Sequence, residues 1–168
     1  MTDALTHISD IPQTYSRKAD KWICHIGVGN FHRAHQAMYL DRLLMSGDGD
    51  GWGICGIALL SSDGPLLAGL AVQDNRYSLC ERQDDQADLK IIGSIMAMID
   101  AADDSGAALI KMASPDCHIV SLTITEKGYC LDGQGQLDPN HPLIAADLAG
   151  RENPRSAIGL ICYALERR

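Results

Sequence analysis

Trp22-Ile23-Cys24-His25-Ile26-Gly27-Val28-Gly29-Asn30-Phe31-His32-Arg33 is the stretch that decides the fold. Its first five residues form a short apolar run stopped by glycine, which reads as a buried strand. From about Phe31 to Met45 the pattern turns helical. Ala34, Ala37, Met38 and Leu44 share a face there, while Gln36, Asp41 and Arg42 point elsewhere. Between strand and helix stands Gly-x-Gly.

A strand that passes through Gly-x-Gly into a helix is a device for holding an anion. Gly27 permits a tight turn that a Cβ would obstruct, and Gly29 lets a ligand come close to the backbone. The free N–H groups of the helix's first turn, with the helix dipole behind them, then face a pyrophosphate. The third glycine of the dinucleotide fingerprint is replaced by His32, so the helix is expected to stand off the strand unless His32 turns outward. Arg33 is expected to offer a cation to a phosphate oxygen. The candidate cofactor contacts are therefore Gly27, Val28, Gly29, Asn30, Phe31 and Arg33. Phe31 is the chain's single Phe.

The next requirement is an acidic residue after the second strand, to accept hydrogen bonds from ribose hydroxyls. Asp63 follows the run Ile54–Leu60 and meets it. It lies further along than the usual ~20 residues, and the glycine-rich loop 46–51 accounts for the excess. Its alternative reading is a surface-turn Asp before Gly64-Pro65. No Arg follows closely to receive a 2′-phosphate, which favours NAD and leaves NADP open.

Outward from this core, Trp52 to Leu60 reads as a second buried strand and Leu66 to Gln73 as a short helix. Residues 77–82 and 89–95 read as two strands around a polar loop, an antiparallel excursion. Asp103 to Met112 reads as a helix, and His118 to Ile124 as a strand of high β propensity. Helical patterns follow at 143–148 and 156–168, the last with neither Gly cap nor Pro stop, as in a chain cut within a helix or one that ends in it. Alternating elements with apolar strands predict an α/β fold: a Rossmann-like, mostly parallel sheet flanked by helices, with a small β excursion around 77–95. The expected organisation is an N-terminal arm over 1–21 and one NAD-binding domain over 22–168.

Composition bounds the alternatives. With 168 residues, 46% hydrophobic and 21% charged, the chain suits one globular domain. A net charge of −8 disfavours nucleic acid, whose binding requires phosphate neutralisation. No run approaches the ~18–20 apolar residues of a membrane span, and the first twenty residues have no apolar signal-peptide core. Six scattered cysteines without C-x-x-C read as reduced core residues of a cytoplasmic protein. His25, His32 and His35 cluster without a supporting carboxylate, so no metal site is expected.

Ile26-Gly27-Val28-Gly29-Asn30-Phe31-His32-Arg33-Ala34-His35-Gln36-Ala37 closely resembles the N-terminal motif of the long-chain mannitol dehydrogenase family. Trp52-Gly53-Ile54-Cys55-Gly56 and the block from Val120 to Tyr129 resemble two further family segments, in the expected order. The resemblance spans roughly residues 22 to 168. It implies zinc-independent, NAD(P)-dependent interconversion of a polyol alcohol and a ketose, or of a sugar acid and its keto form. It also implies that the catalytic Lys, with its Asn and His partners, sits in a C-terminal helical domain outside these residues. The polyol or keto-sugar would be bound there, and residues 1–168 alone are expected to be inactive. Glu126 matches a family Glu near the nicotinamide end that takes part in moving the proton out; its plainer reading is a solvated charge beside Lys127. Ser61-Ser62-Asp63 departs from the acidic pair of some family members, which leaves cofactor choice open. The competing function class is a non-catalytic nucleotide-binding module.

Overall fold

The computed structural model describes residue 8 and residues 11–168. The start of the expected arm lies outside them. Four parallel strands form the central sheet: β1 (Lys21–Ile26), β2 (Trp52–Ala58), β5 (Ile95–Asp100) and β6 (Cys117–Leu122), in the order β5-β2-β1-β6. β3 (Tyr77–Gln83) and β4 (Gln86–Ile92) pair antiparallel as the expected excursion. The helices are α1 (Asn30–Ala34), α2 (Gln36–Ser46), α3 (Gly64–Ala71), α4 (Ser105–Ala113), α5 (Pro142–Ala149) and α6 (Ala157–Glu166). This is the Rossmann-like α/β architecture that the strand and helix patterns predict.

Side-chain alternation along the buried strands divides the core in two. Cys24 and Ile26 of β1 pack with Cys55 and Ile57 of β2 against Ala108, Leu109 and Met112 of α4 and Leu160, Tyr163 and Ala164 of α6. On the opposite face Ile23 and Ile54 meet Ala37, Met38, Leu40 and Leu44 of α2, together with Ile92 and Ile95. Gly56 has a packing reason to be glycine: a Cβ there would lie 2.7 Å from Val28 Cγ1.

Several local expectations need correction. The run 89–95 is not one strand. β4 ends at Ile92, and β5 begins at Ile95 as the fourth parallel strand, lying beside β2. The Gly93-Ser94 step between them is held by α2: Asp41 accepts from Gly93 N–H at 2.7 Å, and Ser94 Oγ donates to Ala37 O at 2.6 Å. Asp41 therefore faces inward, buried, and also accepts from the Tyr15 hydroxyl. The single helix expected from Phe31 to Met45 breaks at His35, whose φ of −121° and ψ of −86° are not helical. Cys80 is exposed rather than in the core, as is Cys162, and all six cysteines are free thiols. The last helix stops at Glu166, with Arg167 as its C-cap residue. Among the described residues no helix is long and apolar enough to cross a membrane.

The segment before β1 is bound to the domain. Arg17 donates to Gly93 O at 2.9 Å and Ile95 O at 3.0 Å, and pairs with Asp74. Its guanidinium thus reaches the same β4–β5 step that Asp41 holds through Gly93 N–H.

Candidate dinucleotide-binding cleft

The chain leaves β1 through α1 and α2 to β2 on one side, and later crosses back to place β6 on β1's other side. That reversal makes a topological switch point, where open α/β sheets form a crevice outside the carboxyl ends of their strands. A cleft of about 430 Å³ lies there. Its lining includes Gly27, Val28 and Gly29 after β1, Leu59, Leu60 and Asp63 after β2, and Thr123, Thr125 and Lys127 after β6. The N-terminus of α6, with Arg155 and Ser156, forms part of the wall.

The two glycines do different work. Gly27 has φ +97°, and a Cβ on it would lie 2.5 Å from Thr123 O. Its N–H donates to Ile57 O at 2.9 Å, so the turn is fastened to β2. Gly29, by contrast, has an ordinary φ of −65° and would place a Cβ in open space. Nothing in the protein's own packing requires glycine at position 29.

The remaining candidates divide between three places. Val28 is 1% exposed, so its side chain belongs to the core and only its backbone can face a ligand. Arg33 donates to Val28 O at 2.6 Å and to Asn30 Oδ1, which turns both side chains back onto the turn itself. Phe31 is 65% exposed and stacks on His35 with ring centroids 4.2 Å apart. It lines an apolar groove with Tyr39, Leu40 and Leu43, outside the cleft. Asp63 closes a 3₁₀ turn (Ser61–Asp63) at the cleft's β2 side. Glu126 opens a second 3₁₀ turn (Glu126–Tyr129) just beyond β6 and faces an adjoining depression with Cys130, Asp132 and His141.

His32, expected outside if the helix is to pack closely, turns inward. It is fully buried and stacks face to face on His25, with centroids 3.6 Å apart and planes 11° from parallel. Two flat rings thus replace the close approach that a third glycine would give. Burial pushes His25 down to about 4. It also pushes His32 down to about 3, helped by the neighbouring His25 and Arg33 and opposed by the Gln36 side chain. Both rings are neutral at pH 7. Among the described residues no group of three or more His, Cys, Asp or Glu side chains is arranged to hold a metal.

Sequence reasoning missed Thr123, Lys127, Arg155 and Ser156. Thr123 stands at the end of the strongest β run and Lys127 just beyond it, the position where a parallel strand delivers residues to the crevice. Arg155 and Ser156 are brought there by a buried carboxylate. Asp147 of α5 accepts from the N–H groups of Arg155 and Ser156 and from the Ser156 hydroxyl. Ser156 in turn caps α6 by accepting from Gly159 N–H at 2.9 Å.

Residues 21–168 match the family described as the mannitol dehydrogenase Rossmann domain. The chain is 43% identical to mannitol 2-dehydrogenase of Phaeosphaeria nodorum over 92% of its own length and 28% of that protein's. It is 48% identical to D-mannonate oxidoreductase of Escherichia coli, over 87% of this chain and 30% of that one. The solved Pseudomonas fluorescens mannitol 2-dehydrogenase, in a ternary complex with NAD and D-mannitol, superposes with a TM-score of 0.86 at 45% identity. That match covers 93% of this chain and 32% of the other. A substrate-free D-sorbitol dehydrogenase superposes with a TM-score of 0.85 at 30% identity, covering 96% and 35%. The chain spans about a third of the length of these relatives. With the glycine turn, the crevice and the family match in agreement, the chain belongs to the mannitol dehydrogenase family, as its Rossmann domain.

Proposed function

We propose that residues 21–168 bind NAD across the cleft and form the cofactor-holding part of a dehydrogenase that interconverts a secondary alcohol and a ketone. Mannitol with fructose, or mannonate with fructuronate, are the substrate pairs that the family relationship favours. The observation that carries this reading is Gly29, which has space for a side chain and an unstrained backbone yet stands at the mouth of the crevice. A residue that folding does not require to be glycine is explained by what must approach it.

In this arrangement Gly27–Gly29 and the first turn of α1, whose N–H groups lack intrahelical partners, would hold the pyrophosphate. Arg33 supports that turn from behind, and Asp63 accepts from the ribose hydroxyls on the β2 side. NAD supplies a hydride acceptor, and the chain's own contribution is to orient it. Thr125 and Lys127, which line the cleft after β6, would hold the nicotinamide end, and Glu126 adjoining them would act as an accessory proton-relay group. The catalytic Lys is assigned to a further domain of the kind that longer relatives have room for.

Calorimetric titration with NAD tests the proposal. We expect saturable binding, preference for NAD over NADP, and no turnover of mannitol or mannonate by the 168-residue chain. Gly29→Val should weaken NAD binding at least tenfold, the cost of displacing one or two well-placed contacts, while leaving the melting temperature nearly unchanged. Unaltered affinity in that variant would remove the turn from the site.

A further inference from the structure

The family fingerprint describes the glycine turn by its backbone, yet in this chain a line of side chains ends on it. Thr123 Oγ1 lies 3.1 Å from Gly27 O and 2.8 Å from His25 Nε2. His25 Nδ1 lies 2.8 Å from Ser121 Oγ, and Ser121 Oγ lies 3.1 Å from Gln36 Nε2 and 3.3 Å from Gln36 Oε1. His25 and Ser121 are register partners on β1 and β6, and Thr123 follows two residues on, so period-two alternation sets both hydroxyls on the same face. The His25 ring bridges them.

The Gly27 carbonyl at one end sets the direction in which protons are passed along this line. A carbonyl oxygen only accepts, so Thr123 must donate its hydroxyl proton to Gly27 O. The Thr123 oxygen then accepts from His25, which places the ring proton on Nε2. The bare Nδ1 accepts from Ser121, whose single proton goes to the nearer acceptor, 2.8 Å away, rather than to Gln36 Oε1 at 3.3 Å, leaving its oxygen to accept from the Gln36 amide N–H. One order results: Gln36 to Ser121 to His25 to Thr123 to Gly27. The His32 ring stacked on His25 closes one face of the line, and the neutrality of His25 is what allows it to donate and accept at once.

We propose that Thr123 and His25 are positioning residues for the phosphate turn, acting through the Gly27 carbonyl and dependent on the Nε2–H tautomer of His25. With Gly27 N–H held by Ile57 O, both polar groups of the glycine are fastened, one to β2 and one to the β6 side. The peptide that follows cannot rotate freely, and the N–H groups after it are aimed before a ligand arrives. Such preorganisation lowers the ordering cost of binding. This inference rests on the reading of the turn as a pyrophosphate site.

The test has one arm that needs no ligand. In the unmodified protein, long-range ¹H–¹⁵N spectra of the imidazoles should show His25 as the Nε2–H tautomer at pH 7. An Nδ1–H tautomer would overturn the proposal, because the line could not then run to Gly27. Thr123→Val, which keeps the shape and removes the hydroxyl, should speed amide hydrogen exchange in the turn from Val28 to Arg33. It should also raise the NAD dissociation constant about tenfold, the effect of losing one net hydrogen bond. Thr123→Ser should restore both to near the parent values. Parent-like exchange and affinity in a folded Thr123→Val protein would overturn the proposal, as would failure of Thr123→Ser to rescue. If Thr123→Val does not fold, the tautomer and the Thr123→Ser exchange rates decide. If the parent protein binds no NAD, the function reading fails, and exchange and tautomer still judge the positioning role.

Discussion

At the scale of single residues, two glycines two positions apart separate folding from binding. Gly27→Ala places a Cβ against Thr123 O and demands a φ that L-residues avoid. We expect a loss of about 3 kcal/mol, from strain and overlap together, read by urea unfolding. Gly29→Ala should leave that curve in place. The stacked histidines give the second prediction at this scale. Both have folded-state values below the ordinary 6.5, so the unfolded chain takes up protons first as pH falls. Stability is therefore full above about pH 6.5 and declines toward pH 4, with a slope approaching about 1.4 kcal/mol per pH unit for each ring. His32→Phe should shallow that slope, and a pH series of unfolding midpoints checks it. The sequence made Gly27 and Gly29 legible because Gly-x-Gly after an apolar run has few other uses. It could not reveal the inward turn of His32, because a histidine at a glycine position reads as bulk to be expelled until a second flat ring is known to lie opposite it.

Among elements, structure departs from sequence pattern where the chain's local signals are weak. β5 contains Met96, Ala97 and Met98, residues of modest β propensity, and its strand character comes from pairing with β2. The break between α1 and α2 has no Gly or Pro to announce it. Phe31 and His35 stack across it, and the His35 ring nitrogen reaches Phe31 O at 2.8 Å, a local bond that competes with continued helix. At the other wall of the cleft, α6 depends on Asp147. This buried carboxylate closes the chain's approach to the helix and carries several hydrogen bonds at once. Asp147→Ala should destabilise the protein by about 2–4 kcal/mol, through orphaned donors around α6, with the loss visible in thermal unfolding. Asp147→Asn should recover part of it, since an amide oxygen still accepts.

For the whole molecule, the parallel fold was readable from alternation of apolar strands and helices, and the crevice follows from strand order. What alternation cannot give is which edges remain open. Among the described residues β6 is an outer strand of the sheet, and Ile119 and Val120 on it are 43% and 38% exposed. The groove beside α2, with Phe31, Tyr39 and Leu43, extends the apolar surface. An unguarded edge of this kind favours pairing with another strand. We expect concentration-dependent association of the 168-residue chain, measured by light scattering, and its reduction in Ile119→Lys. Invariant monodisperse behaviour in both proteins would refute that expectation. The open space at Gly29 has a different bearing. Because the fold does not need that glycine, one inherited substitution there could leave a protein that is made, persists and resists proteolysis while being blind to its nucleotide. Loss of chemistry and loss of structure are thus separable events in the descent of this domain, and a conserved Gly29 in its kin would record selection on the ligand alone.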